Sequence, residues 1–107
     1  MSDDLTRLAN GVLWPGFLGT TAPDWLLDEL RDGLAGVVYF GQNIGDDLGT
    51  LSARILDANP AALIGIDEEG GSVTRLETAT GSTLPGAAQL GRLDDVLATE
   101  ATGAELA

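Results

Sequence analysis

Cysteine, histidine and lysine are all absent from this 107-residue chain. Without cysteine there is no disulfide, no thiolate nucleophile and no sulfur-ligated metal. Without histidine, the Ser-His-Asp triad, imidazole general-base catalysis and the common zinc sites cannot be assembled from these residues alone. All the positive charge is arginine: Arg7, Arg31, Arg54, Arg75 and Arg92, against 17 acidic residues, for a net charge of −12. Such a surface repels phosphate backbones and anionic bilayers, so neither a nucleic acid nor a membrane is expected as partner. Long apolar runs are missing too. The longest clean one, Leu34 to Phe40, is far short of the roughly 18 residues that span a bilayer. The acidic start Met1-Ser2-Asp3-Asp4 lacks the positive charge of a signal peptide. A cytoplasmic location is therefore the expectation. Neither G-x-G-x-x-G nor G-x-x-x-x-G-K-[ST] occurs, so no phosphate-cradling loop is recognisable.

What is present alternates between two periodicities. Leu5, Leu8, Ala9 and Val12 recur on one helical face, with Ser2 as a cap. Val12 to Gly19 is apolar but broken by Pro15 and Gly16, and reads as a short or irregular strand. Thr21-Ala22-Pro23-Asp24 reads as a helix start, with Thr21 capping, Pro23 in the first turn and Asp24 at the capping-box position. Leu26, Leu27, Leu30 and Leu34 form its buried stripe, Trp25 is expected in the core, and Gly33 and Gly36 end the helix. Val37-Val38-Tyr39-Phe40 is a continuous apolar run, the pattern of a parallel strand buried on both faces. A third helix, capped by Asp46 or Asp47, carries Leu48, Leu51, Ile55 and Leu56 inward and stops at Asn59-Pro60. Ala62 to Ile66 is a second buried strand. Ser72 to Pro85 is a long polar loop with a short strand around Val73 to Leu76, and a last helix from Asp94 or Asp95 turns Val96, Leu97, Ala101 and Ala104 inward.

This order is the βαβ signature of an α/β fold. Two strong strands and one doubtful one do not make a stable α/β sheet, whereas a closed barrel needs about 250 residues. The expectation is the first two to three βα units of a TIM-type (β/α)₈ barrel, incomplete in this chain.

The most informative segment is Asp67-Glu68-Glu69-Gly70-Gly71, directly after the second strand. Ligands of parallel α/β folds sit at the carboxyl ends of strands. Carboxylates accept hydrogen bonds from sugar hydroxyls, and Gly70 and Gly71 permit a sharp turn and close backbone approach. Arg75 is spaced to return to the same place, either to donate to a ligand or to orient a carboxylate. A solvated acidic turn is the plain alternative, and a magnesium site on Asp67 and Glu68 a third. Asn43, at the end of the preceding strand, is expected to hold a turn rather than a ligand.

Three segments taken together, Gly36-Val37-Val38-Tyr39-Phe40-Gly41-Gln42-Asn43-Ile44, Leu63-Ile64-Gly65-Ile66-Asp67-Glu68-Glu69-Gly70-Gly71-Ser72-Val73-Thr74-Arg75-Leu76 and Leu84-Pro85-Gly86-Ala87, resemble the start of the N-terminal domain of glycoside hydrolase family 3. The likeness is to its β-N-acetylhexosaminidase branch. The most specific part is D-[QE]-E-G-G-x-V-x-R. The resemblance implies that residues 1–107 are the N-terminal part of one barrel domain. It implies a retaining glycosidase without cofactor or metal that removes terminal β-linked N-acetylglucosamine in peptidoglycan turnover, through a covalent intermediate on an aspartate. By the same resemblance, Asp67 and Arg75 bind sugar in the −1 subsite, while Glu69, Gly70 and Gly71 shape the loop around it. Glu68 stands where glutamine is frequent, and Ser72 where arginine is frequent. The family's Lys-His-Phe-Pro-Gly-His-Gly loop and Ser-Asp nucleophile segment have no counterpart in this sequence. No residue in the chain is therefore expected to be catalytic, and the chain alone is expected to be inactive; the alternative reading is a truncated, non-catalytic sugar-binding or interaction protein.

Overall fold

A computed structural model describes residues 4–107. Five α-helices and two strands follow one another as α1 (Asp4–Asn10), α2 (Asp24–Arg31), β1 (Gly36–Tyr39), α3 (Leu48–Ala58), β2 (Leu63–Ile66), α4 (Ala87–Leu93) and α5 (Val96–Leu106), with a 3₁₀ turn at Gly41–Asn43. The chain divides after Ile66 into two units, the second running from Asp67 to Ala107.

In the first unit β1 and β2 pair in parallel, with Gly36 opposite Leu63, Val37 opposite Ile64, Val38 opposite Gly65 and Tyr39 opposite Ile66. The crossover is α3, as a parallel pair requires. Strand alternation then separates two faces. Val37, Tyr39, Ile64 and Ile66 pack into a core shared with Leu26, Leu27 and Leu30 of α2 and Leu51 and Ile55 of α3. Phe17 meets Tyr39 edge to face, ring centroids 6.2 Å apart. The opposite face carries Val38, Phe40, Leu63 and Gly65. There the indole of Trp14 fills the space a Cβ at Gly65 would occupy, and its Nε1 donates to the Leu63 carbonyl at 2.9 Å.

Local rules account for the element ends. Gly33 sits at φ +96°. Its N–H donates to Leu30 and the Leu34 N–H donates to Glu29, which is the double bond of a Schellman stop. Asp47 caps α3 by accepting from the Thr50 N–H and hydroxyl, and Asn59 closes that helix. At the other helix start the expected side-chain cap is not used. Pro23 itself is the N-cap, Asp24 is the first helical residue, and no side chain bonds there. The Pro23 carbonyl takes the Leu26 and Leu27 N–H groups instead. Gly36 opens β1 rather than ending α2.

Several sequence expectations need correction. The Ser2 cap lies outside the described residues. Val12 to Gly19 is not a strand. It starts in a turn and ends in a bend, with one strand-like bond to β1, Val38 N–H to the Pro15 carbonyl, because Pro15 and Gly16 deny it a ladder. Leu5, Leu8, Val12 and Leu56 are exposed, as are Trp25 and, at 63%, Leu63. The helical faces are real but nothing among the described residues covers them. For Leu63 the cause is position: β2 pairs with β1 on one side only.

In the second unit, residues 72–85 form turns without a strand. The expected pairing around Val73 shrinks to a single bridge between Gly70 and Val73. Helix α4 is unforeseen. It is followed by Asp94 in the left-handed conformation, after which Asp95 caps α5 through the Ala98 N–H. Val96 and Leu97 are exposed, and Thr102 is the buried residue of α5. Among the described residues no helix is long and apolar enough to cross a membrane.

Candidate functional site

Asp67 is the first residue after β2, and the chain reverses within a few residues of it. Gly70 and Gly71 adopt φ of +74° and +58°, a region where L side chains are strained. The reversal brings the Glu69 N–H to the Val73 carbonyl at 3.0 Å. It also lets the chain come back against residues 84–86. The Gly71 N–H donates to the Leu84 carbonyl at 2.8 Å, and a Cβ on Gly70 would lie 2.3 Å from the Pro85 oxygen. The two glycines thus make room for the loop's own backbone. A cleft of about 530 Å³ beside them is lined by Glu69, Ser72, Gln89 and Arg92 among others, but by neither Asp67 nor Arg75.

The reversal carries Arg75 back to Asp67. The guanidinium Nη2 donates to Asp67 Oδ2 at 3.2 Å, with the arginine side chain 31% and the aspartate 50% exposed. A carboxylate held by one oxygen keeps its other oxygen available as an acceptor, and the guanidinium keeps further N–H donors. Such a pair presents acceptor and donor side by side, the complement of adjacent sugar hydroxyls.

Glu68 holds this arrangement from beneath. One carboxylate oxygen accepts the backbone N–H groups of Arg75 and of Leu76, the latter at 2.8 Å. The other accepts the Thr74 hydroxyl at 2.8 Å, and Thr74 is buried. Burial works to raise the Glu68 pKa. The N–H bonds from Leu76 and Arg75, the Thr74 hydroxyl and the Arg75 charge outweigh it and hold the carboxyl below the ordinary glutamate value. Further along, Glu77 accepts the Thr83 N–H and hydroxyl, which lowers its pKa as well. A magnesium site on Asp67 and Glu68 does not suit this geometry. Both oxygens of Glu68 are committed to donors, and an arginine charge lies against Asp67.

Glu69 lies exposed and contributes its backbone alone to the turn. Asn43 sits elsewhere, wholly buried. Its Oδ1 accepts the Phe40 N–H, and its Nδ2 donates to the carbonyls of Phe17 and Gly19. It is the turn residue expected. Sequence reasoning missed the part played by Glu68. The available signal was a carboxylate followed six to eight residues later by Thr74, Arg75 and Leu76 across a Gly-Gly reversal.

No protein-family model matches the sequence, and no curated protein matches it. Solved structures do. A glycoside hydrolase family 3 β-N-acetylglucosaminidase from Paenibacillus sp. str. FPU-7 is 28% identical, with a TM-score of 0.80, over 94% of this chain and 20% of that one. Native NagZ from Neisseria gonorrhoeae is 24% identical, with a TM-score of 0.65, over 84% of this chain and 27% of that one. The chain thus spans about a fifth to a quarter of the enzymes it matches, and its mixed architecture with a parallel strand pair is compatible with a part of their α/β domain. Taken with the three sequence motifs, the match makes this chain similar to one portion of the glycoside hydrolase family 3 β-N-acetylglucosaminidases.

Proposed function

We propose that residues 1–107 form the N-terminal portion of one (β/α)₈ barrel domain of a retaining family 3 glycosidase acting on terminal β-linked N-acetylglucosamine, and that Asp67 and Arg75 bind sugar in its −1 subsite. The carrying observation is the Asp67–Arg75 pair, set immediately after a parallel strand in a chain similar to a β-N-acetylglucosaminidase. The two faces of the strand pair support the barrel. Helices cover one face, while the other bears Trp14, Val38, Phe40 and Leu63, the apolar lining that a closed barrel fills with layers of side chains.

In this reading Asp67 accepts hydroxyl protons through its carboxylate, and Arg75 donates to sugar oxygens while fixing the aspartate's orientation. Neither residue breaks a bond. The acid/base and the nucleophile belong to segments this chain does not contain, and peptidoglycan turnover is the process the substrate implies. Glu69, Gly70 and Gly71 set the path of the loop.

The test is a titration of the isotope-labelled chain with N-acetylglucosamine, followed at the amides of residues 67–76. Saturable shifts confined there, weakened by Asp67→Asn, are expected. Absent shifts, or shifts indifferent to that substitution, would sink the subsite reading. In an intact enzyme carrying these residues, Asp67→Asn is expected to lower kcat/KM by about 2–4 kcal/mol, the scale of a lost preorganised polar contact.

A further inference from the structure

We infer that Glu68 is a positioning residue for sugar binding, acting through Arg75 by hydrogen-bond geometry rather than by its charge. The inference rests on the subsite reading of Asp67 and Arg75.

Arg75 lies on a turn with no strand or helix to hold it. Its side-chain pairing is partly exposed, and exposed ion pairs contribute little by themselves. Its backbone N–H is held by the Glu68 carboxylate, and its carbonyl accepts the Thr78 hydroxyl at 3.1 Å. A single oxygen gathers two consecutive N–H groups, Arg75 and Leu76, which fixes the direction in which the Arg75 Cα–Cβ bond leaves the chain. The second oxygen takes the Thr74 hydroxyl. Thr74 in turn accepts the Glu77 N–H at 3.0 Å and, through its carbonyl, the Thr78 hydroxyl at 3.1 Å. Remove the carboxylate and two backbone donors and a buried hydroxyl lose their partner together, which frees the turn that aims the guanidinium at Asp67.

The bonding pattern also says what can replace it. A glutamine keeps one carbonyl oxygen for the two N–H groups. Its amide can donate to the Thr74 oxygen, since that hydroxyl is free to rotate its proton away. An amide oxygen accepts strongly enough to hold both N–H groups, whereas a protonated carboxyl is a weak acceptor with a proton of its own to place. A strong acceptor rather than the charge is what the position requires.

The experiment uses the full chain and N-acetylglucosamine, with Glu68→Ala, Glu68→Gln, Arg75→Ala, the Glu68→Ala/Arg75→Ala pair, and Asp67→Asn as the control for the subsite itself. Glu68→Ala is expected to weaken binding about tenfold, the scale of a lost hydrogen-bonding group, and Glu68→Gln to stay within about twofold of the parent. In the Arg75→Ala background Glu68→Ala is expected to add nothing, because the two act as one unit. The Arg75 side-chain N–H resonances should collapse toward free-arginine positions in Glu68→Ala and keep their dispersion in Glu68→Gln, while the amides of α5 stay unmoved. The positioning role is overturned if Asp67→Asn weakens binding but Glu68→Ala does not, if the two alanine effects add, or if Glu68→Gln is as weak as Glu68→Ala. A parent chain that does not bind, or a silent Asp67→Asn, overturns the subsite reading and this inference with it.

Discussion

At the residue scale, hydrogen-bond capacity decides what a side chain is for. Asn43, itself wholly buried, uses both ends of its amide on three backbone groups. Asn43→Ala would leave the Phe40 N–H and the Gly19 carbonyl without this partner, while the Phe17 carbonyl keeps the Gln42 side-chain amide. At about 1–3 kcal/mol for an unsatisfied buried group, that substitution is expected to lower stability by about 3 kcal/mol in urea unfolding. Glu68 presents the same logic with a titratable group. Its pKa is lower in the folded chain than in the unfolded one, so its contribution is complete above the ordinary glutamate value of about 4.3 and is lost as pH falls through the lower folded value. The loop of residues 67–77 is therefore expected to loosen on acidification below about pH 4. Amide exchange at Arg75 and Leu76 should rise there in the parent chain, and stay flat over that window in Glu68→Gln. Arg75 and Asp67 were legible as candidates because the spacing and the strand end were visible. Glu68 was not, because its partners are backbone groups whose direction depends on the fold of the turn.

The elements show where local rules suffice. β1, β2, α2, α3 and α5 are all present near their expected bounds. Continuous apolar runs mark the strands, Asp47 and Asp95 mark helix starts, and Gly33 marks a helix end. Helix α4 escaped notice because Ala87 to Leu93 carries only Ala, Leu and Gly against two polar residues, too short a stretch to show a period. Its unmasking signal was the Gly86 N–H taken by the Gln89 side chain, a cap made with an amide from inside the helix. Between elements the tightest constraint is Gly36. A Cβ there would stand 1.9 Å from the Leu63 carbonyl oxygen. Backbone cannot yield as a flexible side chain can, so Gly36→Ala is expected to destabilise the first unit at the upper end of the roughly 1–3 kcal/mol of overpacking. Amide exchange at Leu63 and Gly65, whose N–H groups face β1, reads the loss. Exchange unchanged there would show that the strands separate without penalty.

For the whole molecule the constraint is chemical inventory. The chain has no histidine, and none of its residues is proposed to break a bond. The purified chain is expected to release no 4-nitrophenol from the 4-nitrophenyl β-N-acetylglucosaminide above the uncatalysed rate. Turnover that disappears in Asp67→Asn would assign chemistry to this chain and contradict a purely sugar-binding role for Asp67. The apolar sheet face bearing Trp14, Phe40 and Leu63 belongs to this scale as well, since no element of the first unit covers it among the described residues.

Residue type and periodicity over a few neighbours were enough for the α/β alternation, the two parallel strands and the place of the Asp67 segment. Each of these is a local property of the chain. The rest came from tertiary structure. Leu5, Leu8, Leu56, Val96 and Leu97 obey helical periods yet are exposed, because a period names a face and never the surface that meets it. The Asp67–Arg75 pair and the Glu68 clamp close across an irregular reversal. There the geometry depends on the left-handed Gly70 and Gly71 and on the backbone of Leu84 to Gly86 lying against them, contacts that no local pattern encodes.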